Sequence, residues 1–553
     1  MSLDELLNSS PASPQQALAS AAAETHLIQD FTPLADSIEW HASRLHWEAA
    51  GTRPFSSSHV PYVVNNAGWL ARLTAEVLAA NCRRHPADRF VFLELGAGTG
   101  LFALQLLQAI ETTAPELLQR ITYYVTDGSA ATVRQWGENR QFEHFSRQVR
   151  PLRCDAGDLS TIPAGPIRAV FTNYLLDSLP MAVVRRGSAG VAQLCVRSLI
   201  REQDERLRHV YGLDAAEAAR LAASPHDEDR ARLIDLLPLI EVEAAFRPAD
   251  PPPPYAGEAL ELSGGERTML NHGALQVLDA CLRRLDPAGM IFINDYGPVA
   301  AEQVAAVASV QRFGLLSAAC LNFPLIEAHV ARAACAVHRP QRDEQRTIHA
   351  RLILRNPCEV TGKAFVSAFS REWVLAADQS GNQAIEHIAA GRHDQAMASF
   401  QQALANMPDD WNLLAQAAEF LLQQLDRPAQ SLELALVAAR VNPWYSPMVW
   451  NTLGNALFRL GRHREAYEAY CRAESIDASD PQTQMNLAYA HTHFGDYERA
   501  LVAIARGLAN DQTGRFRTHL LDKQNQAIQL LTARWQSIHA RVDQRAITLG
   551  AAK

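Results

Sequence analysis

No apolar run in this 553-residue chain approaches the roughly 20 residues needed to span a bilayer, so no membrane crossing is expected. Long lysine or arginine blocks are also missing, and the formal net charge is −9. That argues against a nucleic-acid binder that works by neutralising phosphates. The eight cysteines are scattered, with no CxxC pair and no Cys/His ligand spacing. They exclude a disulfide framework, imply no metal, and read as reduced thiols of a cytosolic protein. "HTH" at His491–His493 reads as part of a surface helix rather than a metal site. The opening "MSLDELLNSS" is acidic and polar, unlike a secretory signal. What is present is the composition of an ordinary globular protein, 48% apolar and 20% charged. The length is too great for one hydrophobic core, so several domains are expected.

Residues 1–85 read as a helical region with several turn breaks, and "PFSSSHVPYVVNNAGWLARLTAEVL" leads into a helix that ends near "RRHPAD". Across 86–356 strand-like and helix-like segments alternate. "FVFLEL", "ITYYVTD", "QVRPLRCD", "IRAVFTN" and "GMIFIND" are the strand candidates. Such alternation predicts an α/β fold, a parallel sheet with helices on both faces. Residues 185–262 form an insertion between the fourth and fifth strands. It holds the charged segment "DEDRARLIDLLPLIEVEAAF", expected to be helical, and the stiff proline run "RPADPPPPY". Residues 357–378 are expected to be a linker.

From 379 to 512 a period close to 34 residues appears. Gly391, Asp426, Gly461 and Gly495 hold one equivalent position, and Ala396, Ser431, Ala466 and Ala500 the position five further on. Phe400, Ala435, Tyr470 and Ile504 follow, then Ala403, Ala438, Ala473 and Gly507. "WNTLGNALFRLGRHREAYEAYCRA" is the clearest copy of a pattern that resembles the tetratricopeptide repeat, in four copies. Residues 513–553 then supply a capping helix, which a solenoid needs to close its apolar end. A solenoid groove suits an extended peptide, and Asn451, Asn455, Met485 and Tyr489 fall at groove-facing spacing on inner helices. The repeats favour that use, with homodimer formation or partner docking as the alternative.

"ELGAGTG" ends the first strand of the α/β region. The dinucleotide fingerprint needs a third glycine or alanine where Leu101 stands, so that fingerprint fails. The acid-x-Gly-x-Gly-x-Gly pattern, with Glu94, Gly96, Gly98 and Gly100, is the first motif of class I S-adenosylmethionine methyltransferases, with their Rossmann-like seven-stranded domain. That cofactor carries an ammonium and a sulfonium. An acid before the turn can face the ammonium, and bare backbone lets the ligand approach. Asp127, ending the second strand, can accept both ribose hydroxyls. Asp155, ending the third, can accept from the adenine amino group.

The chain further resembles the MidA family, which includes a mitochondrial methyltransferase that assists complex I assembly. That family carries ELGPGxG, then NExxDALP, then IDYG. Here "ELGAGTG", "NYLLDSLP" and "INDYG" stand in the same order, and the similarity spans roughly Pro54 to Val337. The resemblance implies methyl transfer, to protein arginine where a substrate of the family is known. Ala97 replaces the family's proline, Thr99 often an arginine, and Asp127 a glutamate, while Tyr174 stands where the family has a carboxylate. Asp177, Asn173 and Tyr174 after strand four, with Asp295 and Tyr296 after strand five, are the candidate catalytic residues. Three readings stay open: a protein or peptide methyltransferase, a small-metabolite methyltransferase, and a cofactor-binding assembly factor without catalysis.

Overall fold

The computed structural model describes residues 25–56, 68–188, 190–201, 205–306, 310–313, 316–511 and 513–550. Of these, 25–54 and 68–378 form one compact unit, and 55–56 with 379–550 another.

The first unit begins with strand β1 (Thr25–Pro33), helix α1 (Ile38–Ala50) and helix α2 (Gly68–Arg84). The part of the predicted helical entry at 57–67 lies outside the described residues. Then come β2 (Phe90–Leu95), α3 (Leu101–Thr113), β3 (Ile121–Asp127), α4 (Ala130–Glu138), β4 (Val149–Arg153) and β5 (Ile167–Asn173). The insertion brings β6 (Ala182–Gly187), β7 (Gly190–Arg201), β8 (Ile240–Pro248) and β9 (Thr268–Leu270). The chain returns through α5 (His272–Arg284) and β10 (Leu285–Asp295). A short hairpin, β11 (Val310–Phe313) and β12 (Leu316–Ala319), precedes α6 (Phe323–Arg332), β13 (Ala336–His338), β14 (His349–Leu354) and α7 (Glu359–Phe369).

Seven strands join in the order β13-β14-β10-β5-β2-β3-β4. The run from β10 to β4 is parallel, and β14 lies antiparallel to β10. The strand "FVFLEL" is almost continuously apolar because helices cover both faces of a parallel sheet. Phe92, Tyr123, Phe171 and Phe292 meet edge-to-face or stacked in its centre, with Phe102 of α3 against them. Strand order reverses between β2 and β5, so their carboxyl ends border the crevice where such sheets hold ligands.

Three expectations change. The N-terminal region is not all helical, since β1 pairs antiparallel with β7 from Thr25↔Arg201 to Pro33↔Cys195. Tertiary pairing there overrides local preference. The segment "DEDRARLIDLLPLIEVEAAF" is α-helical only at Asp227–Ala231 and then passes through a short 3-10 helix, Ile234–Leu239. Pro238 lacks the N–H a helix needs, and "IEVEAAF" becomes β8. Its alternation then has a use. Ile240 and Val242 are buried, while Glu241 and Glu243 pair across the sheet with Arg201 and Arg197. The segment 357–378 is not a linker, because α7 buries Phe365 and Phe369 stacked at 4.5 Å, and Phe365 contacts Phe292 of the sheet.

The second unit is a run of helix pairs: α8 (Glu372–Ala389, which starts in the first unit) with α9 (His393–Asn406), α10 (Trp411–Gln423) with α11 (Pro428–Val441), α12 (Pro447–Arg459) with α13 (His463–Ile476), and α14 (Pro481–His493) with α15 (Tyr497–Asn510). The turn inside each pair has φ between +50° and +76°, at Gly391, Asp426, Gly461 and Gly495, the position aligned from sequence. An aspartate fits one copy because short polar side chains tolerate that region. Ala396, Ser431, Ala466 and Ala500 are fully buried where the paired helices touch. The long helix α16 (Arg517–Gly550) ends the chain, and its Leu520 and Ala527 are buried against the last pair.

Candidate active site

All three glycines of the turn after β2 adopt left-handed φ: Gly96 at +62°, Gly98 at +54° and Gly100 at +68°. A Cβ on Gly96 would also meet Leu175 at 2.7 Å, and one on Gly100 would meet Gln141 at 2.9 Å. The turn is held from several sides. Gly98 N–H donates to Asp127 Oδ2 at 3.0 Å, and Ser129 N–H donates to Asp127 Oδ1 at 2.8 Å. Trp136 Nε1 donates to the Gly98 carbonyl at 3.0 Å, and Gln141 Nε2 to that of Thr99 at 2.8 Å. Asp127 therefore fixes the turn in addition to the ribose role expected of it. Each of its oxygens keeps a second lone pair for a hydroxyl.

Glu94 is buried at the end of β2, and its Oε2 accepts from the Tyr123 hydroxyl at 3.0 Å. Burial pushes its pKa up to about 8, while Tyr123 and Asn173 favour the charged form. Such a carboxyl gains most from an incoming cation. Asp155 is exposed beyond β4, with Oδ1 accepting from Gly157 N–H at 2.8 Å.

At the carboxyl ends of β5 and β10 the remaining candidates come together. Asn173 Oδ1 accepts from Asn294 Nδ2 at 2.7 Å. Tyr174 has φ +48° and donates its N–H to the Asn294 carbonyl at 2.9 Å. A non-glycine residue held in that region costs of order 1–3 kcal/mol. Its ring stands 6.4 Å from that of Tyr296. Asp177 lies buried in the single turn Leu176–Ser178, so it does not cap a longer helix. Its N–H donates to Asp295 Oδ2 at 3.3 Å, and Asp295 Oδ1 accepts from Tyr296 N–H at 2.9 Å. Burial raises Asp177 to about 7, and burial with repulsion from Asp177 raises Asp295. Two buried carboxylates this close titrate as a pair and retain a proton near neutrality. The Tyr296 hydroxyl lies beside the Asp177 carboxylate and favours its charged form, although neither Asp177 Oδ1 nor that hydroxyl makes a hydrogen bond of regular geometry. Gly297, after the pair, has its Cα against the Leu321 backbone, and a Cβ would meet Leu321 O at 2.1 Å.

Sequence reasoning missed Tyr123, Trp136, Gln141 and Asn294. Tyr123 and Asn294 lie within strand candidates, and only register brings them to Glu94 and Asn173. Nothing in the sequence marks Trp136 or Gln141.

In the solenoid, one expectation fails. Asn451 is fully buried, donating to Asp480 Oδ2 at 3.0 Å and Thr483 Oγ1 at 2.8 Å, and accepting from Asn486 at 3.0 Å. It joins repeats three and four and cannot touch a partner. Asn455, Met485 and Tyr489 are half-buried. Asn455 accepts from the Tyr470 hydroxyl, and Lys523 lies 4.0 Å above the Tyr489 ring. Among the described residues no group of histidine, cysteine and acidic side chains is placed to hold a metal, and no helix is long and apolar enough to cross a membrane.

Residues 69–314 match the family described as "Putative S-adenosyl-L-methionine-dependent methyltransferase". The α/β unit is an S-adenosylmethionine-dependent methyltransferase domain. Residues 449–480 match the tetratricopeptide repeat, a protein-interaction module. The methyltransferase domain is similar to two structures of a COG1565 superfamily protein from Burkholderia thailandensis. One, a native form, is 18% identical and covers 66% of this chain and 95% of its own, with TM-score 0.39. The other, bound to S-adenosyl-homocysteine, is 16% identical with the same coverage and TM-score 0.41. The solenoid is similar to the Sgt2 TPR domain from Aspergillus fumigatus at 21% identity, covering 22% of this chain and 82% of that one, with TM-score 0.21. No curated protein matches the chain.

Proposed function

We propose that the protein methylates a nitrogen of a protein or peptide, that the solenoid engages this acceptor, and that Asp177 handles its proton. The observation that carries the reading is the Asp177–Asp295 pair at the ends of β5 and β10, with the Tyr296 hydroxyl beside Asp177.

The residues present fit the cofactor. The left-handed glycine turn offers backbone with no side chain in the way, and Glu94 is a buried carboxyl that a cation would ionise. Glu94 would take the ammonium, Asp127 the ribose hydroxyls and Asp155 the adenine amino group. When bound, S-adenosylmethionine supplies a methyl already activated by its sulfonium. The protein's task is then alignment, which can be worth roughly 7–11 kcal/mol. An amine or guanidinium acceptor must also lose a proton. Asp177, raised to about 7, is matched to accepting one near neutral pH. Asn173 and Tyr174 would orient the acceptor, with Tyr296 beside the pair.

Arginine is the family's known target, but its guanidinium stays protonated and wants a carboxylate beside it. Tyr174 does not supply one, so the task falls to Asp177. The test is transfer of isotopically labelled methyl by the full chain and by a fragment ending at Asp378. Label in protein, falling sharply with the fragment, is expected. Equal label in small molecules from both would replace this reading with a metabolite methyltransferase.

A further inference from the structure

The C-terminal helix α16 does more than close the solenoid. Leu520 and Ala527 meet the last repeat, and Arg534 donates to the Gly495 carbonyl at 3.0 Å. Beyond that contact every residue from 535 to 541 is exposed, and the helix continues to Gly550. At 1.5 Å per residue the exposed stretch from 535 to 541 runs about 10 Å. A helix of that length standing alone is marginal in water.

A second stripe runs beside the docked one. Leu521, Ile528 and Trp535 recur every seventh residue and are exposed, Trp535 by 56%. The sequence keeps the register at Val542 and Leu549. Ile538, also exposed, and Leu531 stand three residues after members of this row, giving a heptad seam. A straight helix drifts about 20° per heptad from such a repeat, so a seam kept in strict register suits a helix wound on another helix, not a flat lipid surface.

The charges choose the partner. The positions flanking the seam carry Arg534, His539 and Arg541, and Arg545 falls within it. The helix has two acids, Asp522 and Asp543, both at the outer register position. In a second copy laid antiparallel, Arg534 and Arg541 on one flank would face one another, which disfavours self-pairing. The cationic segment also stands out from a chain of net charge −9. We infer that the exposed seam of α16 is a docking site for an amphipathic helix of another protein with acidic flanking positions.

The probes are two synthetic heptad peptides with the same leucine–isoleucine core, one flanked by glutamate and the other by lysine. Fluorescence anisotropy with the full chain should show the glutamate peptide binding at least tenfold tighter than the lysine peptide, and more weakly as salt rises. Trp535→Glu with Ile538→Glu should abolish binding while circular dichroism stays unchanged, since neither side chain is in the core. Sedimentation should show no self-association through this helix. Four results would overturn the inference: a dimer that the double variant dissolves, equal binding of both peptides, binding of neither, or Trp535-dependent capture by phosphatidylserine vesicles.

Discussion

Replacing Asp177 by asparagine should make the folded protein less sensitive to rising pH. In the unfolded chain Asp177 has the ordinary value of 3.8, and in the fold burial raises it to about 7. A group raised in this way contributes stability in its protonated form. Below the unfolded value that contribution is fully present, and it is lost as pH rises toward the folded value. Between about pH 4 and 7 the native state holds a proton that the unfolded state has released. Each unit of pH then costs about 1.4 kcal/mol for that proton. Over the shift from 3.8 to about 7 the loss is at most about 4.4 kcal/mol, an upper figure because Asp295 shares the proton. Asparagine keeps the shape of the protonated acid and cannot ionise. Urea unfolding of wild type and Asp177→Asn at pH 5 and pH 8 should therefore show the variant gaining on wild type at the higher pH. Parallel pH dependence in the two proteins would refute the buried-pair argument.

Cofactor binding should strengthen with pH up to about 8 and then level off, because Glu94 must shed its proton to face a cation; Glu94→Gln should bind weakly and without that slope, as read by calorimetry. Gly98→Val places a β-branched residue at φ +54° and should abolish cofactor binding with the fold retained, which calorimetry and circular dichroism would check together. Phe365→Ala should destabilise the first unit by about 3–5 kcal/mol in denaturant titration, which would not happen if 357–378 were a linker. Asn451→Ala should cost about 1–3 kcal/mol of solenoid stability by stranding Asp480 and Thr483, with no direct effect on a partner once folding is restored at low temperature.

The chemistry of the first unit was legible where residue type alone decides the backbone. Three glycines in a row of alternate positions, preceded by an acid and a strand, leave few other uses, and all three adopt left-handed φ. The solenoid was legible for the same reason, since Asp426 could be aligned with three glycines and shares their conformation. What stayed hidden depends on partners distant in sequence. Thr25–Pro33 is a strand because β7 is there to pair with it. Asn451 looked like a groove residue from helical spacing, yet Asp480, Thr483 and Asn486 claim it. Pro238 did mark the end of the helix expected through "DLLPLIEVEAAF", a signal that was present and outweighed by the surrounding charge pattern. Asp177 and Asp295 could each be named from a motif. That they form one buried pair follows from the adjacency of β5 and β10 in the sheet.

The most direct test of the account is the rate of methyl transfer by Asp177→Asn and Asp295→Asn on the acceptor found by labelling, with cofactor affinity measured alongside. If the pair handles the acceptor's proton, Asp177→Asn should lower turnover by about 10²-fold or more, with affinity for S-adenosylmethionine nearly unchanged. Normal turnover by both variants would contradict the account, and an acceptor that needs no base, such as a thiolate, would take the place of the nitrogen.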